Sequence, residues 1–435
     1  MKRITASFLV TALILMCISC AKSAETEFTT YTDIKSGVLE RFLSYVIHDT
    51  QSDSSSDTSP STDTQIEFAK ILAAECRAIG LTEVTLCDNG IIMATLPANI
   101  NVEVPVIGFI AHIDTAPDAS GSGVVPRIHE NYDGEDIVLD FGTVISPNEF
   151  PVMENYIGQT IITASGDTLL GADDKAGVAI ILTAMEYLIQ NPDIPHGKIR
   201  IAFTPDEEIG RGTVNFDVEA FGADFAFTVD SGPLGNLTYE TFNAAAASIE
   251  VNGKAIHPGY AKGILVNSAI IAAEFASALP RDESPENTSG YEGYYHLLSL
   301  AGNVEKTTMS VIIRSFDTDD FAERKQFIEK LVDDFNVKYG AGTIVLDLND
   351  QYYNMSEKID DWLIEYAKAA FIAAGVEPVT AQTRGGTDGA RLSFMGLPTP
   401  NIFTGMHNYH GLYEFITLET MVKAVEVVVE LARAS

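Results

Sequence analysis

Val106-Ile107-Gly108-Phe109-Ile110-Ala111-His112-Ile113-Asp114-Thr115 is the stretch on which the fold turns. It opens as a run of apolar and β-branched residues, the pattern of a strand buried on both faces. It closes on an imidazole and a carboxylate two residues apart. Strand side chains alternate with period two, so His112 and Asp114 point the same way at the strand's end. Buried polar groups need partners, so the rest of the chain must supply them.

Working outward, strands and helices alternate. Helices are expected over Asp33 to His48 and Ile66 to Ile79. Strands are expected at Thr82 to Cys87 and Ile91 to Leu96, joined by the turn Asp88-Asn89-Gly90. Thr115 to Thr160 is rich in Pro, Gly, Asn and Asp and reads as a long functional loop. Leu169 to Gly177 leads into a helix. The strands Lys198 to Thr204 and Phe225 to Val229 end in Pro205-Asp206-Glu207-Glu208 and Asp230-Ser231-Gly232. This order is that of an open α/β sheet. From about Tyr239 the pattern becomes β-α-β-β-α-β, the ferredoxin-like order, before the first texture resumes with the helices Lys358 to Ala374 and Leu418 to Ala434. A small domain is therefore inserted in a larger one, and a chain of 435 residues has room for both.

The formal charge of −34 argues against nucleic acid or anionic lipid as a bulk-charge partner. Lys2 and Arg3 precede an apolar run from Phe8 to Ile18 that closes on Ser19-Cys20-Ala21. That run is short for a membrane span and reads as a secretory signal resembling the lipoprotein type, with Cys20 as a lipid-bearing N-terminus; ordinary cleavage after Ala21 and an uncleaved anchor are the alternatives. The expectation is an exported, lipid-anchored protein whose only membrane contact is that anchor. Cys76 and Cys87 remain in the body, as two buried free thiols or as a pair.

The acids gather where strands end or helices begin: His112 and Asp114, Asp173 and Asp174, Glu207 and Glu208, and Asp230. In open α/β sheets, sites form outside the carboxyl ends of the strands. So much negative charge in one place calls for a cation, and carboxylates with imidazole suit zinc better than calcium or magnesium.

Six motifs in order carry a resemblance: His112 to Asp118, Gly171 to Gly177, Thr204 to Gly210, Val229-Asp230, His257-Pro258-Gly259, and Arg384 to Arg391 with Asn408 to Gly411. Together they resemble the co-catalytic zinc peptidases of family M20, and their tripeptide aminopeptidase branch in particular. The likeness runs from about Asp33 to the C-terminus.

The resemblance implies an α/β fold, a zinc-exopeptidase-like catalytic domain with a mixed, mainly parallel central sheet and an inserted ferredoxin-like α+β lid. The expected divisions are a signal peptide over 1–19, a linker over 20–31, catalytic parts over 32–240 and 356–435, and the insertion over 241–355. It also implies two zinc ions per chain, with cobalt or manganese as substitutes. Asp173 would bridge them, His112 and Asp230 completing one site and Glu208 and His410 the other. Glu207 would be the general base and Asp114 would orient His112. A cis peptide is implied between Asp173 and Asp174. His257, Arg314, Arg384 and Asn267 are the implied substrate contacts. The expected activity removes the N-terminal residue of short peptides, tripeptides first, in a chain that is cytoplasmic in most of the family and open to homodimer formation. The rivals are a dipeptidase, a carboxypeptidase or an N-acyl amino acid deacylase of the same family, and a non-catalytic peptide-binding lipoprotein.

Overall fold

The computed structural model describes residues 33–433; the expected signal and the linker that follows it lie outside them. An eight-stranded sheet runs in the order Thr82–Leu86, Ile92–Leu96, Ile199–Thr204, Ile107–His112, Phe225–Ser231, Asn401–Phe403, Asn236–Thr241, Val379–Thr383. The four central strands are mutually parallel. The mixed, mainly parallel sheet expected from the sequence is thus present.

Every residue of Ile107–His112 is buried, as a strand covered on both faces requires. One cover is the helix Ala172–Gln190, nearly all of whose side chains are buried. It lies so close to the sheet that a Cβ on Gly177 would meet the carbonyl of Val229 at 2.0 Å, so only glycine fits there. The helices Ile34–Val46 and Leu418–Ala432 pack on the same core. In it Arg41 is buried, donating to Glu75 and Glu186 at 2.7 Å each.

The insertion forms a four-stranded antiparallel sheet in the order Tyr294–Gly302, Lys306–Ser315, Asn243–Asn252, Ile344–Tyr352. The helices Ser268–Ala278 and Thr318–Tyr339 complete its own apolar core, apart from that of the larger body. The strands Asn236–Thr241 and Val379–Thr383 and the helix Asp388–Phe394 were not expected. Their mixed polar and small residues carry little apolar periodicity. Cys87 is exposed and Cys76 buried, and both are free thiols, so neither a disulfide nor two buried thiols is found.

The loop-rich stretch after Thr115 is tied down by a second small sheet. Met406–His407, Phe415–Thr417, Ile161–Thr163 and Arg127–His129 pair in that order. This sheet carries the residues around 170 to the chain's C-terminal segment. Its seam holds His407, whose Nε2 accepts from the Tyr156 hydroxyl at 2.6 Å and whose ring stacks on Phe415.

Burial pushes the His407 imidazole down to about 4. It is neutral in the folded chain, while an unfolded histidine takes its proton near pH 6.5. The folded pKa is depressed, so the stability it contributes is complete above about pH 6.5 and is lost as the pH falls towards 4. Between pH 7 and pH 5 this loss amounts to about 2 kcal/mol. Urea unfolding of the wild type and of His407→Gln, which keeps an acceptor for Tyr156, checks this: the wild type should lose about 2 kcal/mol more than the variant over that interval. Equal losses would show that His407 has no such role.

Candidate metal centre

His112 ends its strand beside Thr204 of the neighbouring parallel strand. Asp114, fully buried, places Oδ1 3.3 Å from His112 Nδ1. The same carboxylate accepts from the backbone N–H of Glu207 at 2.9 Å and of Glu208 at 3.2 Å. Asp114 therefore joins the imidazole to the turn that carries both glutamates. That turn starts at Asp206, in the left-handed region at φ 60°. Asp206 is held by Ser61 N at 2.7 Å and Gln65 Nε2 at 2.8 Å.

Asp173 enters the site through Gly171, at φ 78°, and the Asp173–Asp174 peptide is cis. Its two oxygens face two imidazoles: Oδ1 lies 3.0 Å from His112 Nε2, and Oδ2 3.1 Å from His410 Nε2. His410 sits at φ 64°, two residues after Asn408 at φ 52°. Such conformations cost about 1–3 kcal/mol each and gather at functional sites. Asp230 places Oδ1 3.7 Å from His112 Nε2, and Glu208 places Oε2 2.9 Å from His410 Nε2. Asp174 turns away, accepting from the N–H groups of His112 and Gly177.

Two donor sets follow, His112 with Asp173 and Asp230, and Asp173 with Glu208 and His410; within each, the ligand atoms lie within 4.8 Å of one another. The two imidazoles stand between these carboxylates. Burial opposes the charge of Asp173, but hydrogen bonds from His112 and His410 outweigh it and hold its carboxyl well below the usual range. The others go the opposite way. Burial, with the charge of Asp173, pushes Glu208 up to about 8, and burial pushes Asp230 up to about 6. Burial together with the charges of Asp388, Asp230 and Glu208 raises Glu207 well above an ordinary glutamate, His112 opposing them. Without a cation, the cluster stays buried only by taking up protons. Glu208 Oε1 is moreover buried with no hydrogen-bond partner. Mixed imidazole and carboxylate donors, a shared carboxylate and an orphaned oxygen fit two divalent ions of the zinc type.

The cluster opens on a cleft of about 560 Å³. Arg384 lines it, but its guanidinium stacks on Phe242 and Tyr294 and donates to Gly290 O, Glu292 O and Thr288 Oγ1. The other three expected substrate contacts are not on the cleft wall. Arg314 is buried behind it, stacked on Tyr352 and donating to Gln351 and backbone carbonyls. Asn267 is used in capping the helix Ser268–Ala278. His257 is exposed on a short turn, where its Nδ1 accepts from Gly259 N. The structure adds Gln351, Tyr352, Asp388, Arg391 and Tyr409 to the wall. Asp388, Arg391 and Tyr409 stand in the motifs that carried the resemblance; Gln351 and Tyr352 had no signal of their own.

Fold and site define a dinuclear metallopeptidase. The chain belongs to peptidase family M20: the profile of family M20/M25/M40 matches residues 169–434. It is 55% identical to Peptidase T of Bacillus velezensis over 404 residues, 92% of this chain and 98% of that one. Aminopeptidase PepT of Bacillus cereus superposes with a TM-score of 0.73 at 24% identity, covering 92% of this chain and 98% of that one. A dinuclear metal-binding M20 peptidase of Bacillus subtilis superposes at 0.63 and 15%, covering 92% of this chain and 97% of that one.

These relatives correct one expectation. The likeness to Peptidase T spans nearly the whole of both chains, and the branch it belongs to is cytoplasmic by the family resemblance. The exported, lipid-anchored placement rested on the first residues alone and does not stand. Among the described residues no helix is long and apolar enough to cross a membrane.

Removing one ligand separates the two sites. His410→Ala should keep one divalent ion and weaken the other by at least tenfold, since His410 serves one donor set only. Titration of the metal-free protein with zinc, read by calorimetry, checks this. Two undiminished sites in the variant would remove His410 from the ligand set.

Proposed function

We propose that this M20 enzyme is a zinc-dependent tripeptide aminopeptidase. The observation that carries the reading is Asp173 shared between two donor sets, with Glu207 beside them in the cleft. His112, Asp173 and Asp230 would hold one ion; Asp173, Glu208 and His410 would hold the other. Zinc suits these donors, with cobalt or manganese as substitutes. When bound, the ions supply Lewis acidity to the scissile carbonyl and acidify water.

The remaining steps belong to the chain. Asp114 fixes the imidazole of His112 on one side and the backbone of Glu207 on the other, so ligand and base keep a constant separation. Glu207 is half-buried on the cleft wall, where desolvation and the neighbouring carboxylates raise its proton affinity. A carboxylate of that kind accepts a proton from the attacking water and delivers it to the amine as the C–N bond breaks. Arg384 and Arg391 on the cleft wall offer positive charge to the carboxylate end of a short peptide. A short substrate suits a cleft of this size with cationic groups on its wall. A homodimer through the inserted domain belongs to the same reading, because its edge strand Tyr294–Gly302 leaves Leu298 and Leu300 exposed.

Glu207→Gln should lower kcat by about 10²–10⁴-fold while two ions stay bound. Substantial turnover in that variant would end its role as base. On a panel of tripeptides, dipeptides and N-acyl amino acids, the zinc-loaded enzyme should release the N-terminal residue of tripeptides fastest; preference for an acylated substrate would reject the aminopeptidase reading. Sedimentation at micromolar concentration should give a dimer, and a monomer there would reject the edge-strand contact.

A further inference from the structure

Glu414 is a buried acid near the site that the mechanism does not use. Glu414 is 2% exposed and lies four residues beyond His410. Its Oε2 accepts from the backbone N–H of Leu170 at 2.7 Å and of Gly171 at 2.8 Å, and its Oε1 accepts from that of Asp173 at 3.2 Å. All three donors belong to the turn that leads Asp173 into the site. Gly171, which begins the following helix, has no side chain to cap it. The N–H groups at such a start need acceptors from elsewhere, and a carboxylate is the strongest available. Here the acceptor comes from about 240 residues away.

The placement has a consequence for the two donor sets. Asp173 belongs to both, and His410 to one. Asp173 reaches the site on a turn with no side-chain cap of its own, and His410 reaches it on a loop in the left-handed region. Glu414 grips the first turn from the chain segment that carries the second. We infer that Glu414 is a positioning residue that sets the shared carboxylate Asp173 against His410, so that filling both divalent-cation sites depends on a side chain bonded to backbone alone. This inference rests on the proposed cation sites.

The test uses the full chain stripped of metal. Glu414→Gln keeps the size but replaces one acceptor oxygen by a donor, which cannot face an N–H group. Zinc titration should then show binding weakened by about 10–100-fold at the His410 site, the usual range for a group that orients ligands. Backbone hydrogen exchange should speed up at Leu170, Gly171 and Asp173 and stay unchanged in the distant strand Ile344–Tyr352. Glu414→Asp, with its charge kept and its reach shortened, should give a smaller loss in the same direction. Glu419→Gln is the control: Glu419 also accepts a backbone N–H, that of Thr160, from the same segment, but holds no ligand-bearing turn. It should leave zinc affinity unchanged.

Zinc affinity in Glu414→Gln and Glu414→Asp within twofold of the wild type would overturn the inference. So would exchange that rises equally throughout the chain, since that is the mark of general destabilisation. A wild-type chain that binds no zinc would overturn the proposed function and this inference together, whereas normal binding in both wild type and variants overturns this inference alone.

Discussion

Buried negative charge at the carboxyl ends of the parallel strands is the constraint on which the rest of this molecule depends. Asp173, Asp174, Glu207, Glu208, Asp230 and Asp388 converge there with two imidazoles. Two like charges 4 Å apart repel by about 4 kcal/mol at an effective dielectric constant of 20. Several such pairs exceed what a folded domain can carry, since its whole stability is about 5–15 kcal/mol. The charge has to be neutralised by protons or by cations. The geometry favours cations, because imidazole nitrogens and carboxylate oxygens face one another in two compact groups.

The chain answers the same constraint with its own backbone. Three buried carboxylates accept N–H groups from turns that carry ligands or support them. Asp114 holds the turn of Glu207 and Glu208. Asp206 holds the segment around Ser61. Glu414 holds the turn before Asp173. In each case an acid that would be costly if unpaired becomes the fastener of an irregular segment. Irregular segments need such fasteners, because no helix or sheet ladder pairs their backbone groups.

Much of this was legible in the sequence where local pattern and chemistry coincide. The buried strand before His112 reads directly from its apolar run, and the helix after Asp173 from its long apolar stretch. The residues of both donor sets sit in short motifs of distinctive order. Strand ends could be recognised as the common address of the acids, since the parallel sheet dictates where a site forms. The rest depends on contacts between distant residues. Glu414 is a lone acid in a loop until the fold sets it against Leu170 and Gly171. Arg314 shows the reverse: its guanidinium matched a substrate role by type, but the fold gives it an aromatic face and carbonyl oxygens close at hand. Asn267 reads equally as a polar contact or a helix cap, and its position just before Ser268 makes it the cap.

The register of two strands explains how His112 and Glu207, the candidate ligand and the proposed base, come to be matched. His112 pairs with Thr204 at the last rung of the parallel ladder. From there one chain runs two residues to Asp114 and the other three residues to Glu207. Both leave the sheet on the same side, and Asp114 closes the gap by bonding to His112 in one direction and to Glu207 N in the other. A slip of one residue in that ladder would turn His112 to the opposite face and carry Asp114 out of reach of the turn. Burial of Ile107, Phe109 and Ala111 on one face and of Gly108 and Ile110 on the other makes such a slip costly. The apolar strand therefore does more than bury its own surface: its register sets the spacing between the candidate ligand His112 and the proposed base Glu207.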